Sequence, residues 1–97
     1  QMDVCYIIFS PSLNKFYVGI THEPIHNRVK KQNLHQYGKH KFTAKANDWE
    51  LYLLLQAQSY SHARRMELKI KKMKSAKFIR ELKENLVMQS LLIQQTI

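Results

Sequence analysis

Two short runs of β-branched and aromatic residues stand near the start of the chain, Val4-Cys5-Tyr6-Ile7-Ile8-Phe9 and Phe16-Tyr17-Val18-Gly19-Ile20. Only Ser10-Pro11-Ser12-Leu13-Asn14-Lys15 separates them, with turn chemistry in Ser-Pro and Asn. Runs of this type across so short a connection predict an antiparallel β-hairpin. The chain has 97 residues, so the hairpin is expected to belong to a single domain with one modest core. Its hydrophobic fraction of 44% argues for a folded globule rather than a disordered tail. Met2 is the expected natural start, with Gln1 an added residue.

Pro24 suits the beginning of a helix, where its missing N–H costs nothing, and Glu23 favours the positive end of the helix dipole. A helix is expected from about Pro24 to about Leu34, with Ile25 and Val29 on one face and Arg28 beside them. Gln36 to Asp48 is polar, basic and rich in His and Lys, and reads as an exposed loop. Trp49 to Leu55 fits a helix or a strand by pattern; its length and aromatic flanks favour a third, buried strand. Ser59 or Ser61 then caps a helix carrying Ala63, Met66, Leu68, Ile70 and Met73. Ser75 caps a further helix whose apolar face is Phe78, Ile79, Leu82, Leu86 and Met88. Leu91-Leu92-Ile93 is left to pack on the domain or on a partner. The expected class is α+β: a small three-stranded antiparallel sheet flanked by helices, in the order β-β-α-β-α-α. One domain is expected over 1–97, with its core at about 4–82 and a helical tail at 83–97.

Charge narrows the function. Sixteen Lys and Arg against seven Asp and Glu leave a net charge of +9. A field of that sign attracts polyanions, nucleic acid first and an anionic membrane surface second. Nine of the sixteen basic residues fall between Arg64 and Lys83, and a helical face so charged can lie along a phosphate backbone. A second basic set, Lys39, His40, Lys41 and Lys45, sits in the expected loop. The single cysteine, Cys5, allows neither an internal disulfide nor a zinc cluster and reads as a small core residue in an intracellular, cytoplasmic setting. No apolar stretch has the length of a membrane span. With Gly19 and Gly38 the only glycines there is no phosphate-cradling glycine loop, and no nucleophile elbow or zinc pattern is present. The five histidines lack metal-ligand spacing and read mostly as surface residues, with His22 or His40 able to approach a phosphate.

Few residues remain for chemistry. Tyr6 and Tyr17 sit on the two hairpin strands, and a register that brings them to one face makes two phenols converge. A phenol ionises near pH 10, so it serves as a base only where nearby positive charge lowers that value, and Arg28 is the nearest candidate. The plainer reading is that tyrosines favour strands. Glu67 stands almost alone among basic residues. It can pair with Lys71 one helical turn later, or act as a hard oxygen ligand for Mg²⁺ or Mn²⁺.

Together these residues resemble the GIY-YIG nuclease superfamily, in particular its short stand-alone bacterial members, which are related to the N-terminal domain of the excinuclease incision subunit. Val4-Cys5-Tyr6, ten intervening residues and Tyr17-Val18-Gly19 are similar to the motif that gives the family its name. Gly19-Ile20-Thr21 leads to a helix bearing Arg28; Lys41-Phe42-Thr43 with Trp49-Glu50-Leu51 resembles the family's loop and third strand. Ala63 through Lys72 resembles the helix that carries the family's glutamate, and the likeness runs from about Val4 to Leu82. It implies a metal-dependent DNA endonuclease, with possible service in repair or recombination, in which Tyr6, Tyr17, Arg28 and Glu67 are catalytic. Glu67 would hold one Mg²⁺ or Mn²⁺. Tyr6 would handle the attacking water, with Tyr17 supporting it, and Arg28 would neutralise charge on the phosphoryl oxygens. Gly19, His22, Lys31, Gln32, Lys39, His40, Lys41, Lys45, Arg64 and Lys71 are the expected nucleic-acid contacts. One departure stands out. The family usually carries a histidine one turn after the arginine, and here that position is Gln32, which cannot shuttle a proton at neutral pH. Asn85 is the nearest counterpart of an asparagine that some members place after the glutamate helix.

Two other functions compete with cleavage. One is a nucleic-acid-binding module on the same fold that does not cut efficiently. The other is a basic adaptor that forms a homodimer or binds a protein partner through its C-terminal helix.

Overall fold

The structure, a computed structural model, describes residues 3–97; Gln1 and the expected start at Met2 lie outside them. Strands β1 (Val4–Ser10), β2 (Lys15–Thr21) and β3 (Glu50–Gln56) form one antiparallel sheet in the order β2-β1-β3. Helices α1 (Ile25–Asn33), α2 (Tyr60–Met73), α3 (Ala76–Glu84) and α4 (Leu86–Gln95) pack around it. The α+β class and the hairpin are as the residues predict.

β1 is central and covered on both faces, which is why it reads as a continuous apolar run rather than an alternating one. Cys5 and Ile7 point to one face and share a core with Leu53 and Leu55 of β3, Met66 and Ile70 of α2, Leu82 of α3 and Leu92 of α4. Tyr6 and Ile8 point to the other face, where Ala46 and Trp49 are buried and Tyr17, Ile25 and Val29 are half-buried. A bulge in β3 skips Tyr52 between the pairs Ile7–Leu53 and Ile8–Leu51. The extra residue leaves Tyr52 and Leu53 packed on the same side, and Tyr52 stacks edge-on to Phe16 at 4.8 Å.

The hairpin tip turns through Asn14, whose φ of 53° is a left-handed conformation that asparagine tolerates. The Asp48 carboxylate accepts from the Ser10 hydroxyl (2.6 Å) and the Ser12 N–H (2.8 Å), tying the tip to the segment before β3. These hydrogen bonds also pull the Asp48 carboxyl below the usual carboxylate range.

The structure departs from expectation in four places. Pro24 lies at the N-cap rather than inside α1, because its ψ of 132° is extended. The stretch expected to be an exposed loop contains a 3₁₀ turn, Phe42–Lys45, with Thr43 and Ala46 buried. The reason is Trp49: its ring N–H donates to the Thr43 carbonyl (2.8 Å). The Asn33 side chain also clamps the Trp49 backbone N–H (2.8 Å) and carbonyl (3.0 Å). The helix expected to run from Ser75 through Met88 is two helices. Asn85, extended at φ −126°, ends α3 and caps α4 by accepting from the Met88 N–H (3.0 Å). Finally, His62 is buried, not superficial. Its Nδ1 accepts from the Gln58 N–H (3.0 Å), so Nε2 carries the proton and faces the Ile93 carbonyl and Thr96 hydroxyl, both at 3.0 Å.

Of the two candidate caps for α2, Ser59 does the work, accepting from the His62 N–H. The His62 contacts, with Arg65 Nε donating to the Thr96 carbonyl (2.6 Å), hold α4 against α2. Leu92 is buried there, while Leu86, Val87 and Leu91 are exposed. No described helix is long and apolar enough to cross a membrane.

Candidate active site

In the hairpin register Tyr6 lies opposite Gly19 and Ile8 opposite Tyr17, so both tyrosines share one face as diagonal neighbours. The Tyr6 ring lies across Gly19. A Cβ at Gly19 would fall 2.5 Å from the Tyr6 hydroxyl and 2.6 Å from Cζ. Only glycine accepts a buried phenol so close to the backbone.

α1 crosses this face and delivers Arg28, which donates from Nε to the Tyr6 hydroxyl at 3.0 Å. The guanidinium also rests on the Tyr37 ring, 4.2 Å from its centroid. Tyr6 is 0% exposed, and burial pushes its phenol up to about 12 even though Arg28 pulls the other way. Burial is the largest single influence on Arg28 and disfavours its charge, but the hydrogen bond that Arg28 donates to Tyr6 and its interactions with Tyr6 and Tyr37 together outweigh burial, and the pKa of the guanidinium rises. Tyr6 is thus a neutral hydrogen-bond partner that orients Arg28 across the whole ordinary pH range.

An open cleft of about 310 Å³ lies beside this pair, lined by Tyr17, Gly19, Arg28, Tyr60, Arg64 and Glu67, with Ile20 at its edge. Tyr6 is not among its lining residues. Glu67 is 5% exposed, and its two oxygens are held by Arg64 and by Lys71 (3.1 Å). The two cations are themselves 53% and 45% exposed. A buried carboxylate needs such partners to compensate its charge.

A smaller hollow of about 230 Å³ adjoins the cleft through shared Tyr17 and Arg28, and includes Gln32, Tyr37 and Lys41. Gln32 Oε1 and the Tyr37 hydroxyl are buried beside it without hydrogen-bond partners.

The four residues expected to be catalytic therefore meet around Arg28, but not in equal positions. Tyr17, Arg28 and Glu67 face the cleft, and Tyr6 stands behind them. Arg64 and Lys71 hold Glu67, and Gly19 forms the cleft floor. Gln32 and Lys41 line the adjoining hollow. His22 is exposed beside the Tyr60 ring (5.9 Å). Lys31 is paired with Glu23 (3.1 Å), Lys45 lies over the Phe42 ring (5.1 Å), and Lys39 and His40 are exposed in the connection after α1. Tyr37 and Tyr60 were not legible as site residues, since neither belongs to a motif and both reach Arg28 or the cleft only through the fold.

A family model of the GIY-YIG catalytic domain matches residues 2–81. The chain belongs to the GIY-YIG family. That family is one of nucleases, and the GIY-YIG match spans β1 through most of α3. No curated protein and no solved structure matches the chain.

The GIY-YIG cleft can be tested for a metal. Glu67 is its one carboxylate, and no group of three or more His, Cys, Asp or Glu side chains gathers among the described residues. Mg²⁺ commonly takes one or two protein carboxylates and completes its octahedron with waters and substrate phosphates. The donor set of this GIY-YIG domain fits one such ion and does not fit a two-ion site.

Proposed function

We propose that the protein is a DNA endonuclease that hydrolyses a phosphodiester in the cleft between Tyr17, Arg28 and Glu67. The observation that carries this reading is the convergence of those three side chains on one open cleft in a chain of net charge +9.

Each residue has a task that its surroundings permit. Arg28, fixed by the Tyr6 hydroxyl and the Tyr37 ring, neutralises charge that develops on the phosphoryl oxygens. Its preorganisation matters because a donor already aimed needs no reorganisation at the moment of reaction. Tyr17, half-buried at the cleft wall, orients the attacking water, a task that the buried Tyr6 is badly placed to perform. Arg64 and Lys71 release Glu67 as they turn to the substrate's phosphates. Glu67 would then be the residue to hold one Mg²⁺ or Mn²⁺, which would supply Lewis-acid polarisation of the phosphate. The lone, buried Cys5 fits an intracellular setting, and repair or recombination is the proposed biological context.

A binding-only reading is favoured by one residue. Gln32 occupies the position of the family's usual histidine and cannot carry a proton at neutral pH. Both readings are tested by labelled duplex, single-stranded, flap and branched DNAs with Mg²⁺ or Mn²⁺, comparing the intact protein with Glu67→Ala. Cleavage by the intact protein alone is expected. Salt-sensitive binding by both with cleavage by neither selects the binding module; equal cleavage by both removes Glu67 from the mechanism.

A further inference from the structure

A hollow of about 370 Å³, larger than the cleft, lies next to it, between the hairpin tip and the junction of α2 with α3. Its floor is apolar: Phe16 and Val18 of β2, Ile70 of α2 and Ile79 of α3. Its rim is cationic: Lys15, Lys71 and Lys74. Lys71 also holds Glu67, and its Nζ lies 5.9 Å from the centroid of the Tyr17 ring. Phe42, stacked on Tyr17 with ring planes 14° apart, lines this hollow too. The hollow and the cleft share no lining residue but are joined by contacts, since Lys71 and Phe42 of the hollow lie against Glu67 and Tyr17 of the cleft. Among the described residues neither Lys15 nor Lys74 forms an ion pair, so two of the three rim charges have no protein partner.

We infer that this hollow binds an unpaired nucleotide next to the scissile phosphate, so that the substrate is DNA with a single-stranded segment adjoining the cut. The inference rests on the nuclease reading above and deepens it. A lysine rim in which Lys15 and Lys74 form no ion pair complements a phosphodiester chain. An apolar floor with an aromatic ring is of no use to phosphates, and the bases of an intact duplex are stacked out of reach. An unstacked base covers such a floor, and base–aromatic contact of this kind tolerates any sequence. The connection through Lys71 and Tyr17 places the base on the strand that enters the cleft.

The test uses full-length Glu67→Ala protein, so that binding is read without cleavage. Affinity is measured by fluorescence anisotropy for blunt duplexes and for duplexes with 5′ or 3′ single-stranded overhangs. The overhangs are made with an intact or an abasic nucleotide at the junction. An overhang of one polarity is expected to bind more tightly than the blunt duplex, and the abasic junction to lose about 5-fold or more of that affinity. Lys15→Gln/Lys74→Gln is expected to erase the preference. Lys30→Gln/Lys72→Gln, which removes the same charge from exposed positions elsewhere, is expected to lower affinity for all DNAs alike. The inference is overturned if the abasic and intact junctions bind equally, or if the two double variants behave alike. Blunt-duplex binding and cleavage by the intact protein that persist without an overhang preference sink this inference alone. Absence of binding to every DNA sinks it together with the nuclease reading.

Discussion

Cys5 and Tyr6 are neighbours on β1, both 0% exposed, yet they face opposite sides of the sheet. Burial pushes both groups up to about 12. On its side Cys5 shares an apolar core with Ile7, Met66, Ile70 and Leu82, and the nearby charges of Glu67 and Lys71 act on the thiol only as opposed, lesser influences beside burial. On the other side Tyr6 meets Arg28, which donates to its hydroxyl and is held above the cleft. The difference teaches that burial alone does not make a site. A buried polar group becomes part of one when the next element brings it a charged partner and leaves that partner's far side open.

The division predicts that the apolar face governs stability and the polar face governs rate. Leu82→Ala removes a fully buried side chain and is expected to cost about 2–5 kcal/mol in urea unfolding. The DNA cleavage proposed above, measured per folded molecule, should hardly change; a matching loss of rate would break the comparison. Arg28→Ala should weigh the other way, lowering the cleavage rate by about 100-fold or more for a stability loss of about 1–3 kcal/mol, the cost of leaving the buried Tyr6 hydroxyl unpaired. Gly19→Ala sits between them. Its Cβ would strike the buried Tyr6 phenol, so a loss of about 1–3 kcal/mol is expected, with a drop in rate as the hydroxyl shifts from Arg28. An unperturbed variant would show that Tyr6 is free to move and is not the fixed partner described here.

Alkaline pH provides the smallest and sharpest test, because it acts on both faces. The thiol rises from 9.0 and the phenol from 10.0, each to about 12. The unfolded chain loses these protons first, so between the two values the folded state binds more protons than the unfolded one. Stability from these groups is therefore complete below about pH 9 and falls as pH rises toward 12. Cys5→Ala and Tyr6→Phe should each flatten that decline in urea unfolding at several pH values. An unchanged slope in either variant would show that the group in question is not shielded.

The secondary elements were legible wherever the signal was local. Ser75 and Ser59 precede their helices as caps, and the hairpin runs sit where β-branched and aromatic residues concentrate. Asn85 shows the limit. The apolar spacing of Ile79, Leu82 and Leu86 passes through it unbroken, and only the competition between the backbone and the asparagine side chain divides α3 from α4. The 3₁₀ turn was hidden for a related reason, since Thr43 is polar and is buried by a bond to Trp49 six residues later.

What the sequence by itself determined is the chemistry available: two hairpin tyrosines, one arginine, one isolated glutamate and a strong positive charge, at spacings the GIY-YIG family shares. Tertiary structure decided how those groups divide the work. Strand register puts both tyrosines on one face, but Tyr6 lies on the central strand beneath Arg28 and Tyr17 on the edge strand, and that puts Tyr17 at the wall and Tyr6 behind it. Tyr37 joins Arg28, and Tyr60 joins the cleft, across distances along the chain that no local pattern encodes. A side chain's identity is carried by its own position, but its solvent exposure and its partners are properties of the packed chain, and function here rests on both.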